Sequence, residues 1–217
     1  NISVFPFTIN PRFSGPASVQ QQLAFRCHLG IDPYNKIILM MGGADGIPKG
    51  EKLLKIFAQT KIDADVIIVC GRNKSLHRKA HSIKQRYGFN RLHILGFVDH
   101  VYELLSISEV VITKCGASTF MEVLLCGKVP LVNSYIWEQE KGNVDFIKQN
   151  GMGIFEPNIK KIAELARLLV TDSDFKQSFR QNIERMGLQN GTPYVSEFIS
   201  NYNSLRNEPT GNFRLTY

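Results

Sequence analysis

Short apolar runs alternate with longer segments of helical periodicity over most of the chain. Five of these runs are rich in β-branched residues and lack apolar–polar alternation, so they predict strands that are buried on both faces. The predicted strands cover residues 37–41, 66–70, 92–95, 110–113 and 130–132. Buried strands that alternate with helices predict an α/β fold built on a Rossmann-like, doubly wound parallel sheet.

The segments between and after these strands carry signals for helix starts and ends. Ser18 and Gln21 form a capping pattern at the start of a helix that Gly30 can end. Further helices are predicted at residues 51–59, around Phe120 and Leu124 up to Gly127, and at 159–170, 174–186 and 193–205. Because no strand is predicted after Pro157, we expect the last helices to brace the sheet.

The two ends of the chain fall outside this alternating pattern. Residues 1–13 contain Pro6 and Pro11 without periodicity, which predicts an extended interdomain linker. Residues 206–217 contain Pro209 and Gly211 and predict a loose tail. Since 217 residues suffice for one well-filled core, residues 14–205 are predicted to form a single domain.

The composition is that of a globular protein, with 43% hydrophobic and 21% charged residues. No apolar run is long enough to span a bilayer, and the first residues lack the pattern of a secretory signal. The four cysteines, at positions 27, 70, 115 and 126, show no Cys-x-x-Cys spacing. Neither a metal site nor a disulfide framework is therefore predicted, and a reducing, cytoplasmic setting is expected.

The net charge of +7 is concentrated in one segment. Residues 71–91 contain seven Lys and Arg residues and no Asp or Glu. Such a segment fits a solvated helix face, a nucleic acid or an anionic membrane surface. Nucleic acid is not predicted, because only Tyr87 and Phe89 accompany the cations and no binding module is present. Attraction to anionic headgroups, worth about 1 kcal/mol for each cation, is the functional alternative to a solvated face.

A glycine-rich loop follows the first predicted strand and contains Gly42, Gly43, Asp45 and Gly46. In open parallel sheets, ligands bind beyond the carboxyl ends of the strands. Glycines let backbone NH groups approach an anion near the start of a helix, which predicts a phosphate contact. The spacing is not that of a dinucleotide site, so a tight turn without a phosphate is the alternative.

A second glycine-bearing loop follows the fourth predicted strand and opens a helix. It contains Lys114, Cys115, Gly116, Ala117, Ser118 and Thr119, with Glu122 one turn further on. A pyrophosphate can bind the NH groups of this helix start, favoured by the helix dipole and by Lys114. Because helical side chains lean toward the N-terminus, Glu122 can reach a ribose above the loop. The alternative is that Glu122 completes a capping box with Thr119.

Two further loops contain candidate contacts. Residues 133–143 are predicted to form a polar loop, where the amides of Gln139 and Asn143 both donate and accept hydrogen bonds, as sugar hydroxyls require. Trp137 in the same loop fits either surface packing or an interface. Phe97 and Val98 follow the third strand, where an aromatic ring can hold a flat base or simply plug the loop.

Together these segments resemble the monogalactosyldiacylglycerol synthase family. The resemblance is carried by residues 70–74, by Lys114, Gly116, Thr119 and Glu122, and above all by residues 135–143, followed by Asn150 and Gly151. A more distant resemblance is to the GlcNAc transferase of peptidoglycan synthesis, to which the sequence of residues 116–119 is closer. Both families share two facing Rossmann-like domains, the GT-B fold.

The resemblance implies the C-terminal, donor-binding half of an inverting glycosyltransferase that takes a UDP-sugar. By analogy, Phe97 and the Val98 backbone would hold uracil, and Glu122 would accept the ribose hydroxyls. Gln139 and Asn143 would bind a galactose or glucose ring. The loops at 42–46 and 115–119 would hold the diphosphate, with Arg12 near it. No metal ion or further cofactor is implied.

The resemblance also implies partners. The acceptor would be a diacylglycerol-type lipid, reached by peripheral association with an anionic membrane surface. The general base would lie in an N-terminal domain, in cis or on a partner subunit, so no catalytic base is predicted here and the chain alone is expected to be inactive. The alternatives are a GlcNAc transferase of the peptidoglycan type, a non-catalytic module of the same fold and, less favoured, a UDP-sugar epimerase.

Overall fold

The computed structural model describes the backbone of residues 2–206 and the side chains as far as Tyr202. Its six strands are all parallel and lie in the order β3-β2-β1-β4-β5-β6. They are β1 Ile37–Met41, β2 Asp65–Val69, β3 Leu92–Leu95, β4 Val110–Lys114, β5 Val129–Ser134 and β6 Ile154–Phe155. This is the doubly wound Rossmann order, in which β1 and β4 form the switch point where ligands bind.

The helices cover both faces of the sheet, as the strand pattern predicts. They are α1 Val19–His28, α2 Gly50–Thr60, α3 Lys74–Tyr87, α4 Val101–Ile107, α5 Ala117–Leu125, α6 Lys141–Gln149, α7 Ile159–Thr171, α8 Ser173–Met186 and α9 Thr192–Arg206. Phe57, Ile83 and Leu169 of α2, α3 and α7 pack into the core on one face. Leu104 and Val123 of α4 and α5 pack on the other. The predicted α/β class is therefore confirmed.

The five predicted strands agree with the structure to within two residues, whereas β6 was missed. A two-residue strand is too short to show periodicity. Its approach to β5 depends on Gly153, where a Cβ would lie only 2.6 Å from the Pro130 carbonyl oxygen. The sixth strand thus forms because a glycine permits close backbone contact, which hydrophobicity does not reveal.

The start of α1 confirms the predicted capping box. The Ser18 hydroxyl accepts from the Gln21 backbone NH at 3.3 Å, and the Gln21 side chain accepts from the Ser18 backbone NH at 3.0 Å. Two of the NH groups that a helix start leaves unpaired are thereby satisfied.

The prediction of a polar loop over residues 133–143 is wrong at both ends. Asn133 and Ser134 are the last residues of β5, and α6 already begins at Lys141. The first turn of α6 contains glycine and asparagine, which are weak helix formers. The helix is stabilised instead by Val144 and Ile147, which are buried in the core.

The segment predicted as a linker has no regular structure through residue 10, but it is fastened to the start of α9. Gly191 donates its backbone NH to Phe7 at 2.9 Å, and the Thr192 hydroxyl donates to the Ile9 carbonyl at 2.6 Å. Asn190 donates its side-chain amide to the Asn10 carbonyl at 3.0 Å. The division at residue 13 stays a prediction. Of the predicted tail, residue 206 ends α9 and residues 207–217 lie outside the described part.

Within residues 2–206, no helix is both long and apolar enough to cross a membrane. In the same part of the chain, His, Cys, Asp and Glu side chains form no group of three or more that could hold a metal ion.

Candidate functional site

The loops that follow β1 and β2 meet at the carboxyl end of the sheet through their backbones. The Arg72 NH donates to the Ala44 carbonyl at 2.6 Å. Gly71 has a φ of 58°, and a Cβ at this position would lie 2.2 Å from the Ala44 oxygen. Only glycine fits here, because the left-handed conformation and the close approach both exclude a side chain. The backbone of residues 42–46 is thereby held in place from the side of β2.

Lys114 and Glu140 connect the loops that follow β1, β4 and β5. The Lys114 ammonium lies 3.5 Å from a Glu140 carboxylate oxygen, and the other oxygen accepts from the Ile136 backbone NH at 2.7 Å. A Cβ on Gly43 would lie 4.0 Å from the Lys114 side chain. Glu140 is buried and was not among the predicted site residues. The two predicted phosphate loops are therefore neighbours, with a cation between them.

Asn143 and Cys115 hold the start of α5 against the start of α6. The Asn143 amide donates to the Cys115 carbonyl at 2.9 Å. This contact occupies one donor of the residue predicted to bind the hexose. Burial, and next the charge of Glu140, raise the pKa of the buried Cys115 thiol to about 12. The thiol therefore stays protonated near neutral pH and is no nucleophile.

The amino end of α5 is open to a ligand. Gly116 is the N-cap residue and supplies no side-chain cap, while Ala117 and Ser118 are exposed. The first turn of α5 contains no acidic residue of its own, whereas a Glu140 carboxylate oxygen lies 3.4 Å from where a Cβ of Gly116 would be. The capping-box alternative for Thr119 is wrong, because α5 begins at Ala117 and Thr119 already lies inside the helix.

Glu122 lies one turn further along α5 and is half-buried. Burial raises the pKa of its carboxyl group above the ordinary value. Among the described residues, its carboxylate has no hydrogen-bond or ion-pair partner within the protein. A half-buried carboxylate without a partner reduces stability, which is typical of a residue placed for a ligand.

Phe97, at the end of β3, lies at the surface with 62% of its area exposed. It is therefore no buried plug, which was the alternative to a base contact. The Arg72 guanidinium lies over the ring, 5.1 Å from its centre. Val98 packs against the core, which leaves its backbone as the group that can face a base. Arg72 was not predicted as a site residue, although it belongs to the segment 70–74 that supports the family resemblance.

Arg12 contacts a different part of the molecule from Lys114 and Glu140. Its guanidinium is exposed and is 4.0 Å from the Glu103 carboxylate, in the first turn of α4. The preceding loop carries Phe97 and Val98. The contacts of Arg12 thus connect it to the part of the site expected to bind the base, and none connects it to the phosphate loops.

Gln139 and Trp137 project from the loop that connects β5 to α6. Trp137 is 64% exposed, and its ring centre lies 5.7 Å from that of Tyr135. Glu138 has a φ of 67°, a strained conformation that turns this loop sharply. Gln139 is exposed as well. Surface packing and an interface both remain alternatives for Trp137.

Residues 37–188 match the family model described as the Glycosyltransferase family 28 C-terminal domain. The match covers the whole sheet and the four loops at its carboxyl end.

The chain belongs to this glycosyltransferase family.

Relatives of this family 28 domain act on diacylglycerol or are named as glycolipid synthases. It is 30% identical over 171 residues to monogalactosyldiacylglycerol synthase 1 of Arabidopsis thaliana, covering 76% of the chain and 31% of the relative. It is 28% identical over 204 residues to the processive diacylglycerol beta-glucosyltransferase of Bacillus subtilis, covering 92% of the chain and 51% of the relative. The chain thus spans about a third to a half of these relatives' length.

Solved glycosyltransferases share the fold of the family 28 domain. Anabaena HepE, solved in complex with UDP-glucose, superposes with a TM-score of 0.68 at 16% identity, over 93% of this chain and 57% of that one. WaaG, a glycosyltransferase of lipopolysaccharide biosynthesis, gives a TM-score of 0.63 at 17% identity, over 84% and 51%. These similarities confirm the predicted GT-B half.

Proposed function

We propose that this family 28 domain binds the UDP-sugar of an inverting glycosyltransferase that transfers galactose or glucose to a diacylglycerol-type lipid. The observation that carries the proposal is the convergence of three loops on Lys114. Gly43, Lys114 and Glu140 belong to the loops after three adjacent strands: the Lys114 ammonium lies 3.5 Å from Glu140, and a Cβ on Gly43 would lie 4.0 Å from the Lys114 side chain. An uncapped helix start and an ammonium group at one point suit a diphosphate.

The neighbouring groups match the remaining parts of a nucleotide sugar. Glu122 supplies a carboxylate that has no partner among the residues the structure describes, which suits the two hydroxyls of a ribose. Phe97 supplies a largely exposed ring for uracil, and the Arg72 guanidinium lies over that ring. Gln139 and the amide oxygen of Asn143, which accepts no hydrogen bond within the described residues, lie on the β5 side, where the hexose would follow the diphosphate. The proposed order of contacts across the site is base, ribose, diphosphate and sugar.

The proposed contribution of the domain to the reaction is electrostatic. In a direct displacement at the anomeric carbon, the acceptor hydroxyl attacks while the bond to the UDP oxygen breaks. Negative charge then develops on the diphosphate, and the NH groups of α5 with Lys114 stabilise it in position. No covalent intermediate is needed. Neither a metal ion nor a cofactor forms part of the proposal.

The proposal requires further groups outside these residues. Family analogy supports a general base and a lipid groove on an N-terminal domain, in cis or on a partner subunit. The length of the relatives supports a second domain, because they are two to three times as long as the matched segment. We propose peripheral contact with an anionic membrane as the way the lipid is reached. The cytoplasmic setting stays a prediction.

A calorimetric titration of the purified chain tests donor binding. We expect binding heat when UDP is added and weaker binding of uridine. The affinities for UDP-glucose, UDP-galactose and UDP-GlcNAc, compared with one another, should identify the hexose. Lys114→Gln should weaken UDP about tenfold or more and uridine little, because the lost ammonium faces the diphosphate. Lys148→Gln, an exposed lysine of α6, is the matched control. Absence of heat at millimolar UDP contradicts the proposal.

A further inference from the structure

Helix α3 presents a basic outer face that the donor site does not use. Leu76, Ala80 and Ile83 point inward and are buried, so the opposite side of the helix faces solvent. That exposed side carries only polar residues: Lys74, Ser75, Arg78, Lys79, His81, Ser82, Gln85 and Arg86. No Asp or Glu occurs between residues 66 and 98. The face therefore carries positive charge without internal compensation.

Three cations of the segment 71–91 are engaged elsewhere and do not belong to this face. Lys84 donates to the Leu92 carbonyl at 2.7 Å. Arg91 pairs with Asp63 at 2.7 Å and with Asp65 at 3.4 Å. Arg72 lies over the Phe97 ring. These contacts separate the cations that serve the fold or the donor site from those available to a partner.

The remaining cations form one surface together with the neighbouring helix α2. Lys74, Arg78 and Arg86 make no ion pair with any residue between 2 and 202. Lys79 and Lys55 both contact Glu51, at 2.8 and 2.7 Å. The α3 basic face, defined as these five cations, thus meets a single carboxylate. Its net charge is five minus one, or +4.

The chemistry of the α3 basic face favours a lipid surface over other anions. It has no exposed apolar side chain, so it can adsorb to a charged surface but not insert into a bilayer. It also offers no aromatic platform for stacking bases, because Tyr87 is half-buried behind Arg86. A surface of headgroup phosphates complements an array of separate, exposed cations.

We infer that the α3 basic face holds the domain electrostatically against an anionic lipid surface. The choice of a membrane as partner rests on the proposed function, since the acceptor lipid lies there. The contact is reversible and superficial, and it weakens with salt because exposed charges are screened. Its role is to keep the donor domain at the surface while the donor loops stay free to exchange nucleotide.

Cosedimentation of the full chain with lipid vesicles tests the inference. The chain should bind vesicles of phosphatidylcholine mixed with phosphatidylglycerol and not vesicles of phosphatidylcholine alone. Binding should fall steeply when the salt concentration is raised from about 0.05 to about 0.5 M. The triple variant Lys74→Gln, Arg78→Gln, Arg86→Gln should lower the vesicle partition coefficient at least about tenfold, since each cation contributes about fivefold.

A second triple variant removes the same charge from another exposed helix. Lys160→Gln, Lys161→Gln, Arg167→Gln alters α7, where Glu156 and Glu164 lie close by. It should change the partition coefficient less than about threefold. Equal losses in both variants would show a net-charge effect and overturn the inference. So would tighter binding to single-stranded RNA than to the anionic vesicles.

Calorimetry with UDP keeps this test separate from that of the donor site. The α3 variant should fold and bind UDP as the unaltered chain does, because the side chains of Lys74, Arg78 and Arg86 make no hydrogen bond or ion pair with the donor loops among residues 2–202. Vesicle binding without UDP binding would refute the donor site and leave the basic face standing. UDP binding without vesicle binding would overturn the inference on the α3 basic face and leave the donor site standing.

Discussion

The two edges of the same sheet differ in how many of their polar side chains are partnered within the protein. At the amino edge, charged side chains are buried and paired within the protein. At the carboxyl edge, Glu140 is buried and paired with Lys114, but Ser118 and Gln139 are exposed and Glu122 is half-buried, and the side chains of these three make no hydrogen bond or ion pair within the described residues. Both edges are built from the same strands and differ only in which ends they present. The comparison separates residues that stabilise the fold from residues placed for a ligand.

Asp65 is the centre of the amino edge. It is buried at the start of β2, where His93 and Asn35 contact its carboxylate, each at 2.7 Å, and Arg91 lies at 3.4 Å. Burial alone would raise the pKa of this carboxyl group, but the hydrogen bonds from His93 and Asn35 and the charge of Arg91 lower it. The ionised form is therefore the one that the folded protein stabilises.

The other charged groups of this edge, of which Arg26 and Lys128 are buried and Glu109 is half-buried, have partners within the protein as well. Arg26 donates to the Asn35 and Ile107 carbonyls at 2.8 and 2.9 Å. Lys128 donates to the Ser106 carbonyl at 2.8 Å, and burial lowers its pKa to about 8. Glu109, just before β4, is bound by Lys176 of α8. Every one of these groups holds a helix or loop against the start of a strand.

Whether a buried charge has partners within the chain helps to recognise a ligand site in a fold of this kind. A buried charge whose partners all come from the same chain is accounted for by stability. Glu122, half-buried and without such a partner, is not. In a doubly wound sheet the carboxyl edge is where ligands bind, so the unexplained carboxylate lies where function is expected.

The largest expected effect is at the amino edge. Asp65→Ala should lower the free energy of unfolding by about 3 kcal/mol, because His93 and Arg91 lose a buried partner. Chemical denaturation measures the loss, and UDP affinity of the folded variant should not change. The control is Asp63→Ala, whose exposed carboxylate pairs with the same Arg91 and whose loss should cost less than about 1 kcal/mol. Equal losses of unfolding free energy in the two variants would show that the buried contacts of Asp65 stabilise the fold no more than the exposed pair of Asp63 does.

The second-largest expected effect is that of a backbone change at the carboxyl edge. Gly71→Ala should cost about 2 kcal/mol of stability and should weaken UDP, since the added methyl displaces Ala44 and the loop that carries Gly43. Gly88→Ala has the same φ of 58° but meets nothing within 4 Å, so it isolates the cost of the backbone conformation. If the two variants bind UDP equally well, the loop after β1 does not form part of the site.

Glu122→Gln should weaken UDP binding about tenfold at neutral pH while leaving the protein folded. The amide keeps the shape but loses the charge that strengthens hydrogen bonds from the ribose. Calorimetry with UDP and with uridine should show similar losses, because the ribose is common to both. Glu164→Gln, on the exposed face of α7, should bind like the unaltered chain. Unchanged affinity in Glu122→Gln would remove this residue from the site.

The smallest expected effect is the pH dependence of stability due to Glu122. A carboxyl group whose pKa is raised by folding reduces stability above that pKa, and the penalty disappears as the pH falls through it toward the unfolded value. Glu122→Gln should thus be more stable than the unaltered chain by less than about 1 kcal/mol at neutral pH. The advantage should shrink as the pH falls toward 4.5, the ordinary pKa of the group, and should vanish about one pH unit below it, in denaturant titrations at neutral and acidic pH. A variant that is less stable at neutral pH would contradict this account.

The sequence predicted the core of the fold better than its edges. Buried strands such as β1 and β4 are continuous apolar runs, a signal that survives without tertiary information. The strand β6 was missed because a close backbone approach at Gly153 decides it. The helix α6 was not predicted, because the burial of Val144 and Ile147 stabilises it rather than the propensity of its first turn. Both depend on neighbours that are distant in the sequence.

The candidate site, like the fold, was predicted from the sequence only in part. Glycine-bearing loops after strands indicated where a ligand would bind, since topology brings strand ends together. The contacts of Glu140 with Lys114 and of Arg72 with Phe97 were not predicted, because each joins two loops whose relative position only the folded chain defines. The polar type of these residues was visible, but their partners were not.

The most direct test is a map of backbone amide NMR shifts while UDP-glucose is added to the isotope-labelled chain. If one nucleotide-sugar site lies at the carboxyl edge, one common dissociation constant should describe the shift changes of five amides, those of Gly43, Phe97, Gly116, Glu122 and Gln139. The amide shifts of Asp65 and Glu109 should not change. Shifts at Glu122 without shifts at Gln139, or larger shifts at the amino edge, would show that no single nucleotide-sugar site exists at the carboxyl edge.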